Sequence, residues 1–413
     1  MATTFVPLSE LSLFPATPDQ VLESRRRHAP QWCRKLSIEE YLLRDQLMDG
    51  HEHASDNKFI TWVLAPRANP TTLDFMCSCE TFRRTAVVAH PSDPSGAKQV
   101  TAYAIASVFT PPEKRKKGYA QYMMRLLHWV VAPRSALPVF PDGWGSPTEV
   151  PEGLGLQSAQ FSVLYSDVGK EFYQSCGPIA EPGGGWLASG AVETSWYADK
   201  APSGTTTGPT SPHIWLSEDD AKHVWSLDVP FMRADISETA KSSGHTAFSF
   251  LPNKGVGAFV VQRTMSFTAD DAPVLPLDTW GVLLLPSAVV GVDEVFADLD
   301  KQPTYATWTL DTSSESSRVL VTTRVRASRE TLPGLLEVLV HFARKENIQK
   351  IEIWGLPETL QAAASESDWE TSARTDHLSA FKWYGKEGEN EVEWAFNEKY
   401  VLTFMASISQ NLR

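Results

Sequence analysis

Residues 114–118, Lys-Arg-Lys-Lys-Gly, set four cationic side chains directly before a glycine, and an amphipathic repeat begins at once behind it. Tyr119, Tyr122, Met123, Leu126, Leu127 and Val130 recur at three- and four-residue spacing, so a helix starts close to Gly118. The first amides of such a helix have no intrahelical partner, and the helix dipole gives them partial positive charge. A phosphate suits that position. Gly118 lets an anion approach the main chain closely, while Arg115, Lys116 and Lys117 add charge. A solvated turn ahead of an ordinary helix would use the same residues, and the loop alone does not decide between the two.

Several elements must hold this loop in place. Val100–Thr110 is rich in apolar and β-branched residues and is stopped by Pro111-Pro112, which gives strand, turn and helix in succession. Two helices are expected earlier, at Ala16–Ala29 and Ser37–Met48. Thr17-Pro18 supplies the cap and first-turn proline of one, and Ser37 with Glu40 the capping box of the other. Strands are expected at Phe59–Pro66 and Thr85–His90. A Pro/Gly-rich stretch over 136–155 reads as a substrate-facing insertion. Ala159–Gly169 is a further strand, and Lys170–Gly177 a short helix closed by Gly-Pro. The predicted order is strand, two helices, three strands, helix, strand, helix.

A chain of 413 residues exceeds one ordinary core and points to two domains. Hydrophobic content of 42%, with 14 Trp and 19 Phe, argues for a folded protein. The net charge of −13 excludes a nucleic-acid binder that works through a general basic surface, and would draw small cationic substrates. Cys33, Cys77, Cys79 and Cys176 show no repeated ligand spacing, so buried free thiols are expected rather than a metal site. The first twenty residues lack a charged segment followed by an apolar core, and no apolar run reaches membrane-spanning length. The expectation is a cytoplasmic protein with no membrane partner. Nothing in the sequence sets its oligomeric state.

Arg115-Lys116-Lys117-Gly118-Tyr119-Ala120 resembles the RxxGxG/A acetyl-CoA signature of the GNAT N-acetyltransferases, with Pro112 where that family commonly has a proline. Tyr173-Gln174-Ser175-Cys176-Gly177 is similar to the family's YxxxG helix. These motifs cover about residues 1–200. More narrowly, SCETFRR (78–84), VFTPPEKRKKGYA (108–120), LYSDVGKEFY (164–173) and the extended C-terminal half resemble the fungal lysine N-epsilon-acetyltransferase family, which acetylates the side chain of free L-lysine.

The resemblance implies the GNAT acyl-CoA N-acyltransferase fold, α/β with a mixed sheet, whose strands ending at Thr110 and near Ser166 splay apart. The main chain of Val108, Phe109 and Thr110 would then meet the pantetheine arm of acetyl-CoA. Amides from Lys116 through Tyr119 to Ala120 would carry the pyrophosphate, and Ser166 would contribute from the second strand. Ser166 replaces the asparagine often found there, Gly169 replaces an alanine, and Pro178 follows Gly177 where an aromatic is usual. These departures weaken the contacts expected from that strand.

Acyl transfer from such a site needs orientation but no covalent enzyme intermediate. The acceptor must arrive neutral, and an alkyl ammonium has a pKa near 10.4, so a base is required. Glu80, Asp167 and Glu193 are the candidates. Each reads equally as a solvated or ion-paired carboxylate, and Glu80 or Asp167 could instead hold the substrate ammonium. Tyr173 matches the family tyrosine beside the coenzyme sulfur and would act as general acid, although with Phe172 it also reads as a packing aromatic. His90 and His128 read as surface or strand-end histidines. Free lysine leads as acceptor, with a polyamine or protein lysine behind it, and a coenzyme-binding protein without turnover is the reading from another class.

The predicted division is 1–200, a linker over 201–213 rich in Gly, Pro, Ser and Thr, and 214–413. After a capping box at Ser217 and Asp220 the second part shows a helix, then strands at Thr246–Phe250, Val256–Gln262, Thr279–Leu285, Tyr305–Asp311 and Arg318–Ala327. Leu332, Leu335, Leu336, Leu339, Phe342 and Ala343 form a helical stripe, and Lys350–Leu356 a final strand. This repeats the order of the first half without RxxGxG/A, and Pro333 removes an amide that an anion would use. A degenerate GNAT-like domain that walls the substrate pocket is expected, with an unrelated α+β cap as the alternative. Trp383, Tyr384, Trp394, Phe396 and Tyr400 read as core.

Overall fold

The structure, a computed structural model, describes residues 6–33, 36–200, 208–265, 277–286, 291–311, 318–396 and 399. The N-terminal half runs β1 (Leu11–Pro15), α1 (Pro18–Trp32), α2 (Ile38–Met48), β2 (Phe59–Pro66), β3 (Cys77–Ala89), β4 (Lys98–Phe109), α3 (Tyr119–Val131), β5 (Ala159–Ser166), α4 (Glu171–Gln174), β6 (Leu187–Ala188) and β7 (Val192–Tyr197). The C-terminal half continues β8 (His213–Leu216), α5 (Glu218–Ser243), β9 (Thr246–Phe250), α6 (Val256–Met265), β10 (Gly281–Leu284), α7 (Val292–Val295) and β11 (Tyr305–Asp311). It ends with β12 (Val319–Arg326), α8 (Leu332–Lys345), β13 (Lys350–Trp354), α9 (Glu358–Ser365), β14 (Glu370–Ala373), β15 (Leu378–Trp383) and β16 (Val392–Trp394).

Local signals fix the helix starts. Thr17 and Gln20, Ser37 and Glu40, and Ser217 and Asp220 each form a reciprocal capping box, which satisfies amides that open α1, α2 and α5. α3 buries Tyr119, Tyr122, Met123, Leu126, Leu127 and Val130. Each such side chain contributes roughly 1.5–3 kcal/mol when fully covered, so the helix and its first turn are firmly seated.

Two mixed sheets organise the described residues. The first has the order β1-β2-β3-β4-β5-β15-β6, with β9 against β3 and β16 against β9. The second has the order β14-β7-β13-β12-β11-β10-β8. The halves exchange strands: β7 lies in the second sheet, while β9, β15 and β16 lie in the first. β4 and β5 pair in parallel only as far as Ala104 with Val163, although β4 runs on to Phe109 and β5 to Ser166. Beyond that point the strands diverge. Opposite β3 the register of β4 slips between Ser78 and Glu80, and Ser107 there has a left-handed backbone, φ 55°. A bulge of this kind bends the strand and re-aims its side chains.

Three sequence-based expectations need correction. Val256–Gln262 is helical and not a strand; all its residues are buried, and an apolar run covered on every side carries no readable period. α1 continues through Pro30 to Trp32 and does not stop at Ala29; the helix expected after Ser217 is present as α5, with Pro230 inside it. The 136–155 stretch packs against α3 and the turn that precedes β1: Tyr122 donates to Trp144 O at 2.9 Å, and a Cβ on Gly145 would lie 2.6 Å from Ser9 O. Of the 201–213 linker, residues 201–207 lie outside the described residues, and His213 already belongs to β8. No helix among the described residues is long and apolar enough to cross a membrane.

Candidate active site

A cavity of about 230 Å³ opens where β4 and β5 part. Its β4 wall is Ile105 to Thr110, its β5 wall Leu164, Tyr165, Asp167 and Val168, and Phe172 and Tyr173 of α4 face it. Arg115 and Ala120 bring the start of α3 to the same space, and Gln31 and Trp32 of α1 close the other side. None of its lining residues comes from 136–155. Main-chain groups of diverging strands have no ladder partner, so the cavity offers them to an extended, amide-bearing ligand.

The loop before α3 is built for an anion. Gly118 caps the helix with φ 78° and no side-chain cap, and Lys116 also has a left-handed backbone, φ 61°. Tyr122 N makes the first intrahelical bond, to Gly118 O at 2.9 Å, so the amides of Tyr119, Ala120 and Gln121 lie ahead of the ladder. A Cβ placed on Gly118 would meet only Leu8 Cδ1, at 3.8 Å, which leaves the approach open. Lys116 is exposed, and Arg115 Nε donates to Thr110 O at 3.0 Å, tying the loop to the end of β4. The Tyr119 side chain is core, and only its amide is available here. Lys114 departs from the expected cationic run: its ammonium is buried against Asp74 Oδ1 at 2.5 Å and Phe75 O at 3.0 Å, so it braces the turn from behind.

Tyr173 lines the cavity together with Asp167. Burial pushes its phenol above the usual range, with Cys176 and Asp167 adding to the effect, so it keeps its proton at neutral pH. Glu80 lies on β3 behind the bulge, where the Ser107 hydroxyl donates to its carboxylate and Ser107 itself faces the cavity. Burial raises the Glu80 carboxyl against the pull of the Arg25 charge and the Ser107 hydrogen bond. Asp167 is engaged by the C-terminal half: His377 N donates to Asp167 Oδ1 at 3.1 Å, and His377 Nδ1 lies 2.6 Å from the same oxygen.

Glu193 is placed elsewhere. It sits on β7 in the second sheet, 2.6 Å from Lys350 Nζ. Ser166 turns away from the cavity, its hydroxyl donating to Gly169 O at 2.5 Å and accepting from Val168 N at 3.3 Å, so it shapes the turn into α4. His90 is a strand-end histidine beside Thr246 and Glu387. His128 is no surface residue. It is fully buried in α3, donates from Nε2 to Cys176 O and accepts at Nδ1 from Tyr384 OH, both at 2.8 Å, and stacks on Trp186 at 4.2 Å. Burial pulls it down to about 3, so it is a neutral tie between α3, α4 and β15.

Sequence reasoning missed Gln31, Trp32, Ser107 and His377. Trp32 packs edge-on to Phe109 at 5.7 Å and 4.7 Å from His28, forming an aromatic cover over the end of β4. Behind it Asp45 binds Arg44 at 2.9 Å and Arg263 at 2.8 Å, and Arg25 grips Asp49 bidentately at 2.7 and 2.8 Å. The cysteines of the described residues are free, Cys77 and Cys79 buried, and no His/Cys/Asp/Glu group among those residues has the makings of a metal site. Trp383, Tyr384 and Trp394 are buried core, Phe396 is partly covered, and Tyr400 lies outside the described residues. A larger cavity of about 1300 Å³ beside α8 contains none of the candidate residues.

The diverging strands, the glycine-capped helix and the tyrosine helix define the class. The fold is shared with a GCN5-related N-acetyltransferase from Anabaena variabilis, at a TM-score of 0.51 and 10% identity over 91% of this chain and 73% of that one. A probable N-acyltransferase from Enterococcus faecalis aligns over 91% of this chain and 72% of its own, at 9% identity and a TM-score of 0.49. The chain belongs to the GNAT N-acetyltransferases. Within them, residues 198–403 match the family described as the LYC1 GNAT-like C-terminal domain. A curated relative from Yarrowia lipolytica named lysine acetyltransferase is 29% identical over 167 residues, and the match spans 40% of this chain but only 39% of that relative.

Proposed function

We propose that the chain transfers an acetyl group from acetyl-CoA to the side-chain amine of free L-lysine. The observation that carries this reading is the single cavity that unites the start of α3, the unpaired ends of β4 and β5, and Tyr173. Its residues fit an acyl-CoA: amides ahead of the α3 ladder, an open glycine and the Arg115 and Lys116 charges suit a diphosphate, and the strand ends suit a peptide-like arm. When bound, the coenzyme supplies an activated thioester, and the protein supplies orientation.

Glu80, through Ser107, would take the proton that the incoming ammonium must lose, and its raised carboxyl is better matched to that task than an ordinary one. Tyr173, held neutral by burial, would donate to the departing thiolate. Asp167, fixed by His377, would attract and orient the amine. The α1 cover at Gln31 and Trp32 leaves little room for a protein acceptor and favours a small one. Purified protein mixed with acetyl-CoA and L-lysine should release thiol and form N-epsilon-acetyl-lysine, identified by mass spectrometry. Thiol release that ignores added lysine would defeat this acceptor assignment.

A further inference from the structure

An amino acid acceptor carries a carboxylate that the cavity walls described so far do not receive. Arg374 stands close behind them. Its residue is 7% exposed, and its Nη1 donates to His377 O at 2.9 Å. Its Nε and Nη2 are buried with no hydrogen-bond partner among the described residues. The guanidinium carbon lies 3.8 Å over the Trp354 ring, which faces Tyr165 of the cavity wall at 6.0 Å. Through His377, whose amide donates to Asp167 at 3.1 Å, two hydrogen bonds connect the guanidinium to that wall.

Five other arginines show what is missing here. Arg25 is paired with Asp49, Arg44 and Arg263 with Asp45, and Arg324 and Arg326 with Asp228. Among the described residues Arg374 has no such carboxylate partner. A guanidinium taken out of water with two N–H groups unused is a standing cost to the fold. Those two groups, Nε and Nη2, form the edge that grips a carboxylate through two parallel hydrogen bonds. Trp354 and His377, stacked at 6.0 Å and 25°, fix the plane of the fork. His377 itself is held in a left-handed backbone, φ 46°, which the surrounding packing must enforce.

We infer that Arg374 is the carboxylate clamp of the acceptor site, and that the acceptor is an amino acid held by its α-carboxylate while its side-chain amine reaches the cavity beside Asp167 and Tyr173. This rests on the acyl-transfer reading of the site and adds to it the specificity determinant from the C-terminal half. It explains why that half closes against β5.

The test compares L-lysine with cadaverine, which has the amine but no carboxylate, and with L-norleucine, which has the carboxylate but no terminal amine. In Arg374→Gln the ratio of kcat/KM for lysine over cadaverine should fall at least about 30-fold, and Arg374→Lys should restore part of it. Calorimetric binding of L-norleucine to the wild type should be lost in Arg374→Gln, with thermal melts confirming that both variants fold. An unchanged ratio, or norleucine binding that is absent in the wild type or survives the substitution, would overturn the assignment. Arg374-dependent norleucine binding in a protein that acetylates no amine would sink the acyl-transfer reading and leave the carboxylate site standing.

Discussion

The two sheets contain the same local device, a parallel strand pair that opens ahead of a helix, and only one of them is left ready for a ligand. At β4 and β5 the opening leads to α3, where Gly118 leaves three amides ahead of the ladder. At β12 and β13 the pairing stops after Val321 with Glu352, and the following helix is α8. There the amides are already engaged. Thr331 N donates to Ser328 Oγ at 3.3 Å and Leu332 N to Ser328 O at 3.0 Å, while Pro333 has no amide to offer. The second opening is also filled. Beyond the paired residues Arg324 and Arg326 converge on Asp228, and Arg324 lies 4.6 Å over the Phe396 ring. The lesson is that a strand fork stays open to a ligand only when the turn ahead of its helix leaves amides unused and nothing in the chain fills the gap. The second fork has become an internal brace.

The largest effects should separate catalysis in the first region from stability in the second. Tyr173→Phe should lower kcat by roughly 10²–10⁴-fold with coenzyme affinity little changed, measured by steady-state kinetics beside calorimetry; unchanged turnover would reject the tyrosine as general acid. Asp228→Ala removes the buried carboxylate that Arg324 and Arg326 share, leaving Arg326 only its contact with Asp235, and should cost about 3–5 kcal/mol in denaturant unfolding. A cost no larger than that of an exposed ion pair would mean the brace is not structural.

Acid sensitivity should belong to the first region. His28, His53 and His128 pack in or against its sheet, and burial holds each down to about 3 from 6.5. Between those values the unfolded chain binds protons that the folded chain refuses. Stability therefore falls as pH drops through that window, by up to about 1.4 kcal/mol per pH unit for each histidine. Denaturant midpoints from pH 7.5 downward measure this, and a flat profile would show that the histidines can charge in place. Smallest is Thr331→Ala, which removes a bond of the reciprocal Ser328–Thr331 turn ahead of α8 and should cost about 1 kcal/mol. It should leave coenzyme binding intact, whereas weakened binding would mean the two helix starts are not independent.

What could be read in the sequence was local. Gly118 with its cations, the capping residues at Thr17, Ser37 and Ser217, and the Tyr173 helix all announce themselves within a few residues, because caps, glycines and helical stripes act at that range. What depended on pairing could not be read. The Ser107 bulge exists only because β3 and β4 meet with one extra residue on β4. Arg374 and His377 reach the cavity wall through β15, which joins a sheet built mostly from the other half of the chain. His128 looked exposed because its partner Tyr384 is 256 positions away. The sequence reading of α1 stops at Ala29, whereas the helix runs on through Pro30 to Trp32 because tertiary packing overrides the local cost of a proline.

The central claim is that one fork, and only one, holds the coenzyme. Calorimetric titration of acetyl-CoA into the wild type, Gly118→Glu and Thr331→Ala tests it directly. One site per chain is expected, lost when a charged side chain is placed at Gly118 and kept when the Ser328–Thr331 turn ahead of α8 is loosened. Retained binding in folded Gly118→Glu, or two sites in the wild type, would contradict it.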